Sequence, residues 1–151
     1  MGGVVMELGF VGLGRMGGNM VRRLQAGGHH CHIFSQSAET REMLAAETGA
    51  VAVADLAALV ASLVAPRTIW VMVPEGAATE AVLSELRGLC APGDVVIDGG
   101  NSHFKQTVAR GMALAEDGIH LVVEKLDKNR IESVHLYLPE PKPEDEEGDE
   151  D

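Results

Sequence analysis

Gly12, Gly14 and Gly17 stand at fixed spacing in Gly12-Leu13-Gly14-Arg15-Met16-Gly17, directly behind the apolar run 8–11. A Gly-x-Gly-x-x-Gly between a strand and a helix holds the pyrophosphate of a dinucleotide. The first glycine allows the tight turn. The second lets backbone approach the phosphates, and the third lets the helix pack close to the strand. The helix that follows offers free N–H groups and its positive dipole end to the anion. The loop lacks a closing Gly-Lys-Ser/Thr, which excludes a nucleoside-triphosphate loop. A methyltransferase-type nucleotide fold is the structural competitor, and a helix starting at the third glycine suits a pyrophosphate better.

Strand patterns at 8–11, 30–35, 51–53, 68–73, 94–98 and 119–123 alternate with helix patterns at 16–25, 38–47, 56–64, 77–89 and 104–116. Met16, Met20, Val21 and Leu24 fall at helical spacing, and Gly27-Gly28 closes that helix. Asp55 is placed to cap the third helix and Pro66 to stop it, while Asn101 or Ser102 can cap the fifth. The run 68–73 is nearly all apolar, as suits a strand buried on both faces. This alternation predicts an α/β fold, a Rossmann-type doubly wound parallel sheet in three αβα layers. The ligand crevice then lies at the carboxyl ends of the strands, where strand order reverses. Aromatic residues are 3% of the 151, so the core must come from Val, Leu, Ala and Met.

The character changes after residue 124. We read 1–124 as the dinucleotide-binding domain and 125–138 as a divergent extension. Val134, Leu136 and Leu138 alternate there and fit an added edge strand over 132–138. Residues 139–151 hold eight acids and one lysine, which is −7 of the net −11, and predict a disordered acidic tail. Such a charge argues against a nucleic-acid partner. No apolar stretch reaches the roughly 18 residues of a membrane span. With no signal peptide, and Cys31 and Cys90 in no paired motif, a reduced cytoplasmic protein is expected. In His29-His30-Cys31-His32 a strand would put His30 and His32 on one face and Cys31 on the other, and no metal site is expected.

The residues after the second strand select the cofactor. An NAD site usually carries a carboxylate there, bonded to the ribose 2′-hydroxyl. Here the stretch is Phe34-Ser35-Gln36-Ser37, with no carboxylate to repel a 2′-phosphate. Ser35, Gln36 and Ser37 can donate to that phosphate and Arg41 can reach it, or Arg41 is a solvated helix residue. NADP is favoured over NAD.

Several motifs together are recognisable. Residues 9–20, with Met72-Val73-Pro74 and Asp98-Gly99-Gly100-Asn101-Ser102, resemble the NADP-binding domain of 6-phosphogluconate dehydrogenases, in the 3-hydroxyacid dehydrogenase superfamily. The resemblance covers about residues 6–123. It implies that Gly12, Leu13, Gly14, Arg15, Met16 and Gly17 hold the pyrophosphate. It implies that Phe34, Ser35 and Gln36 take the adenosine ribose, that Val73 lines the cofactor site, and that Asn101 contacts both cofactor and substrate. The implied reaction is oxidative decarboxylation of 6-phosphogluconate to ribulose 5-phosphate, in the pentose phosphate pathway.

The family follows its sixth strand with a Ser-Gly-Gly loop and a helical domain carrying the general-base lysine. Here Glu124-Lys125-Leu126-Asp127 does not lead to that loop, and Lys105 and Lys125 are the wrong lysines for the role. Asn101 cannot accept a proton, so no catalytic residue is assigned. The chain is expected to be a truncated NADP-binding domain, inactive alone. The alternatives are a non-enzymatic NADP(H)-binding module, and one half of a split enzyme whose protein partner supplies the helical domain.

Overall fold

A computed structural model describes residues 5–73, 77–99, 118–127 and 130–137. In chain order the elements are β1 (Glu7–Val11), α1 (Arg15–Ala26), β2 (His30–Phe34), α2 (Ala38–Thr48), β3 (Val51–Ala52), α3 (Leu56–Ser62), β4 (Thr68–Val71), α4 (Ala77–Leu89), β5 (Val95–Asp98), β6 (His120–Asp127) and β7 (Arg130–Tyr137). They build one sheet in the order β3-β2-β1-β4-β5-β6-β7. β1 through β6 are parallel, and β7 runs antiparallel to β6. The order reverses between β1 and β4.

Alternation along the strands separates two apolar layers. Leu8 and Phe10 of β1, with Cys31 and Ile33 of β2, pack under Val21 of α1 and Leu44 of α2. Val11, with Ile69 and Val71 of β4 and Val96 of β5, packs under Leu59 and Val60 of α3 and Leu83 and Leu86 of α4. These are the three layers the alternation predicts.

The ends of the elements depart from the sequence reading in informative ways. The third helix was expected to run to residue 64, with Pro66 as its stop, but α3 ends at Ser62. The Val60 carbonyl accepts from Leu63 N at 3.2 Å and from Arg67 Nε at 2.9 Å. Val64 N instead donates to Glu7 Oε1 at 2.7 Å. Tertiary partners therefore take the bonds that another turn of helix would need. The second, third and fourth strands stop at Phe34, Ala52 and Val71, short of the expected 35, 53 and 73.

β4 also alternates, with Ile69 and Val71 fully buried on one face and Thr68 and Trp70 half-buried on the other. Trp70 stacks on Phe10 with ring centroids 6.2 Å apart. The expected first residue of the fifth strand, Asp94, lies outside β5 and is a buried turn anchor. Its Oδ1 accepts from Arg67 N at 2.7 Å, and its Oδ2 from Ala91 N at 2.8 Å and Arg67 Nη1 at 3.1 Å. β6 runs to Asp127 rather than 123, because it pairs with β7 along that length. The expected helix over 104–116 lies outside the described residues. So does the expected tail, 139–151.

Candidate functional site

The site begins with three backbone bonds that carry the sheet one step past its strand ends. Gly12 N donates to Phe34 O at 2.9 Å, Met72 N to Val11 O at 2.7 Å, and Gly99 N to Val71 O at 2.9 Å. Ser35, Gly12, Met72 and Gly99 thus follow the aligned strand ends at the point where strand order reverses. Above them opens a cleft of about 840 Å³. That size falls within the roughly 300–1,000 Å³ typical of cofactor sites.

The glycine turn forms one wall. Gly12 has φ +95°, a conformation that favours glycine. A Cβ on Gly17 would collide with the Gly12 carbonyl oxygen, so only glycine lets α1 start this close to β1. A Cβ on Gly14 would meet nothing within 4 Å. Gly14 is also the N-cap of α1, with no side-chain capping bond and no acidic residue in the first turn. The first N–H groups of α1 are therefore left for an anion rather than for the protein's own side chains. This donor set suits a pyrophosphate.

Leu13, Arg15 and Met16 line the same wall. Phe34, Ser35 and Gln36 line the next, at the end of β2, and Val73 lies across the cleft beyond β4. The structure thus brings together the glycine turn, Phe34, Ser35, Gln36 and Val73, while Asn101 lies outside the described residues. Ser37 and Arg41 are not in the lining. The Ser37 Oγ caps α2, accepting from Thr40 N at 3.2 Å. Arg41 comes back over the β2 end. Its guanidinium carbon lies 5.9 Å from the Phe34 ring centroid, and its Nη1 donates to Ser35 O at 2.9 Å.

Sequence reasoning missed the outer wall. Ala78, Ala81, Val82 and Glu85 of α4 line the cleft opposite the glycine turn, joined by Asp55 and Leu56 at the start of α3. Their i, i+3, i+4, i+7 spacing was visible as a helix face, but it resembles any apolar stripe. Met72 and Gly99 complete the floor. Within the histidine run, His32 has partners from two other elements. His32 is buried, with Nδ1 2.8 Å from Ser62 Oγ and Nε2 3.6 Å from Glu7 Oε2. Cys31, also buried, has its thiol pushed up to about 11 by desolvation. Among the described residues no helix is long and apolar enough to cross a membrane.

A family model for the NAD binding domain of 6-phosphogluconate dehydrogenase matches residues 7–123. The chain belongs to that family. The 6-phosphogluconate dehydrogenase, decarboxylating, of Treponema pallidum is 37% identical to this family member over 123 residues, 77% of the chain and 25% of the relative. The NAD(+)-dependent, decarboxylating 6-phosphogluconate dehydrogenase of Haloferax volcanii is 44% identical over 108 residues, 72% of the chain and 36% of the relative. The solved Plasmodium falciparum 6-phosphogluconate dehydrogenase shares the fold, with a TM-score of 0.74 at 20% identity, over 79% of this chain and 27% of that one. The chain spans between a quarter and just over a third of these relatives' lengths. The cleft described above therefore lies within the NAD-binding domain of this family.

Proposed function

We propose that this domain binds NADP(H) in preference to NAD(H), in service of an oxidative decarboxylation of 6-phosphogluconate. The observation that carries the preference is the β2 end. Ser35 and Gln36 stand where an NAD site would place a carboxylate, and Arg41 lies over Phe34 with one nitrogen fixed on Ser35 O. A guanidinium held there presents further N–H donors to a 2′-phosphate. The Haloferax relative is NAD(+)-dependent by name, and the Plasmodium structure was solved with NADP+.

In this reading the glycine turn and the first turn of α1 hold the pyrophosphate. Phe34, Ser35 and Gln36 seat the adenosine ribose, Val73 bounds the cofactor from the far side, and Asn101 meets cofactor and substrate. A bound nicotinamide ring supplies the hydride acceptor. Among the described residues that line the cleft there is no lysine or histidine; its carboxylates are Asp55, which accepts from Ala58 N at 2.7 Å, and Glu85 on the outer wall formed by α4. A proton acceptor within reach of the substrate hydroxyl is a geometric requirement. We assign that group to a helical part beyond these residues, in the same or a partner polypeptide, with the whole working in the cytoplasm.

Titration of the purified chain with NADPH and NADH, read by nicotinamide fluorescence, tests this. NADPH is expected to bind more tightly, with no turnover of 6-phosphogluconate by this chain alone. Equal or reversed affinities overturn the NADP preference, and a measured turnover overturns the placement of the base.

A further inference from the structure

Met72 occupies the middle of the cleft floor, between two glycines. Along the row that follows the strand ends, Gly12 is its neighbour on one side and Gly99 on the other. A Cβ on Gly99 would run into the Met72 sulfur and lie 3.5 Å from its Cε. A Cβ on Gly12 would stand 2.8 Å from the Met72 carbonyl oxygen, and one on Gly17 3.4 Å from the Met72 Cβ. Of the three glycines, Gly99 is the one that depends on the methionine side chain; Gly12 meets the Met72 backbone, and Gly17 is closed by the Gly12 carbonyl and touches the Met72 Cβ at ordinary contact distance. Gly12 and Gly17 belong to the pyrophosphate turn. Gly99 belongs to the end of β5, on the other side of the strand-order reversal.

We propose that Met72 is a positioning residue. Its side chain, lodged in the space left by the absent Cβ of Gly99, sets the spacing between the glycine turn and the end of β5. The two ends of a dinucleotide lie on opposite sides of that point, so the spacing decides whether both can be held at once. Methionine suits the task, since an unbranched, polarisable thioether fills an irregular gap between backbones. Gly99 is buried, so a methyl group there has no outward escape, and the flexible thioether is what must move. This inference rests on the dinucleotide reading of the cleft.

The test is a double-mutant cycle on the full chain, using Gly99→Ala, Met72→Ala and the pair. Dissociation constants for NADPH and thermal midpoints are both read. Gly99→Ala is expected to weaken NADPH about tenfold or more in the wild-type background, with a midpoint close to wild type, and to have no further effect once Met72 is Ala. Should Gly99→Ala unfold the chain, restoration of the midpoint by Met72→Ala reads the same coupling. The same factor in both backgrounds, or no effect of Gly99→Ala at all, overturns the proposal.

A second readout needs no nucleotide. Trp70 is the chain's single tryptophan, and its Cε3 lies 3.6 Å from a Gly99 Cβ. Its emission should shift in Gly99→Ala and return in the double variant. If wild type fails to bind either nucleotide, the cofactor reading falls. The Trp70 cycle then decides the Met72–Gly99 coupling by itself, and an additive shift overturns it.

Discussion

The carbonyl oxygen of Gly12 occupies the place a side chain on Gly17 would need. The two glycines lock the turn from opposite ends, while Gly14 between them faces open space. Gly14 has φ −64° and ψ −173°, which any residue adopts. Folding and binding therefore separate at these positions. Gly17→Ala should cost about 1–3 kcal/mol, as overpacking does, and weaken NADPH as well. Gly14→Ala should leave stability within about 0.5 kcal/mol yet weaken NADPH by about tenfold or more, because its methyl group would stand where the proposed function puts the phosphates. Urea unfolding and fluorescence titration of the two variants check this. Equal loss of stability in both would show that the turn is not built this way.

Arg41 makes the proposed cofactor preference measurable. A charge-assisted bond to a 2′-phosphate is worth roughly 1.5–3 kcal/mol, so Arg41→Ala should weaken NADPH by about tenfold or more. NADH has no 2′-phosphate and should change by less than about threefold, that remainder reflecting the lost bond to Ser35 O. Arg41→Lys should recover only part of the difference, since a point-like ammonium cannot reproduce the guanidinium fork that bonds Ser35 O and still presents further donors. A parallel loss for both nucleotides would make Arg41 a brace of the β2 end and nothing more.

How much of this was legible in the sequence follows from the range of the interactions. The glycine turn and the Asp55 cap are local devices, and both stand where spacing put them. Most of the site came with them, because residues at successive strand ends converge once the sheet is parallel. The end of α3 was not legible, since it depends on Glu7, 57 residues away in sequence from Val64. The capping role of Ser37 was not legible either, because a serine after a strand can cap or bind and only the start of α2 shows the cap. Gln25 gave no signal either. It ties α1 to two neighbours, accepting from Cys31 N at 2.7 Å and donating to Thr48 O at 3.0 Å.

Asp94 holds the turn before β5 to the start of β4, and its side chain is 1% exposed. Removing one partner of a buried pair leaves the other charge and its donors uncompensated. Asp94→Ala should therefore destabilise the domain by about 3–5 kcal/mol. Asp94→Asn can keep one of the two backbone bonds and should cost less. The cleft lies at the opposite ends of the strands, so NADPH affinity measured well below the melting temperature should stay within about twofold of wild type. Denaturant unfolding measures the first effect, and a cost under about 1 kcal/mol for Asp94→Ala would rule out the anchoring role.

The two cysteines give the domain an alkaline limit. Burial pushes the Cys31 thiol up to about 11 from an ordinary 9.0. Cys90 is pushed up to about 11 by burial and then by the nearby Asp94 charge, with Arg67 opposing. Between those values the folded chain keeps protons that the unfolded chain releases. The unfolded state then binds fewer protons, and stability falls as pH rises. The contribution is fully present below pH 9 and is lost as pH passes through about 11. Urea midpoints should decline across this window, and more shallowly in a Cys31→Ala, Cys90→Ala double variant compared with its own value below pH 9. The thiolate is the reactive form, so native Cys31 should also resist thiol reagents near neutral pH until the chain is unfolded. Rapid labelling of folded protein, or an unchanged slope in the double variant, would place the alkaline sensitivity elsewhere.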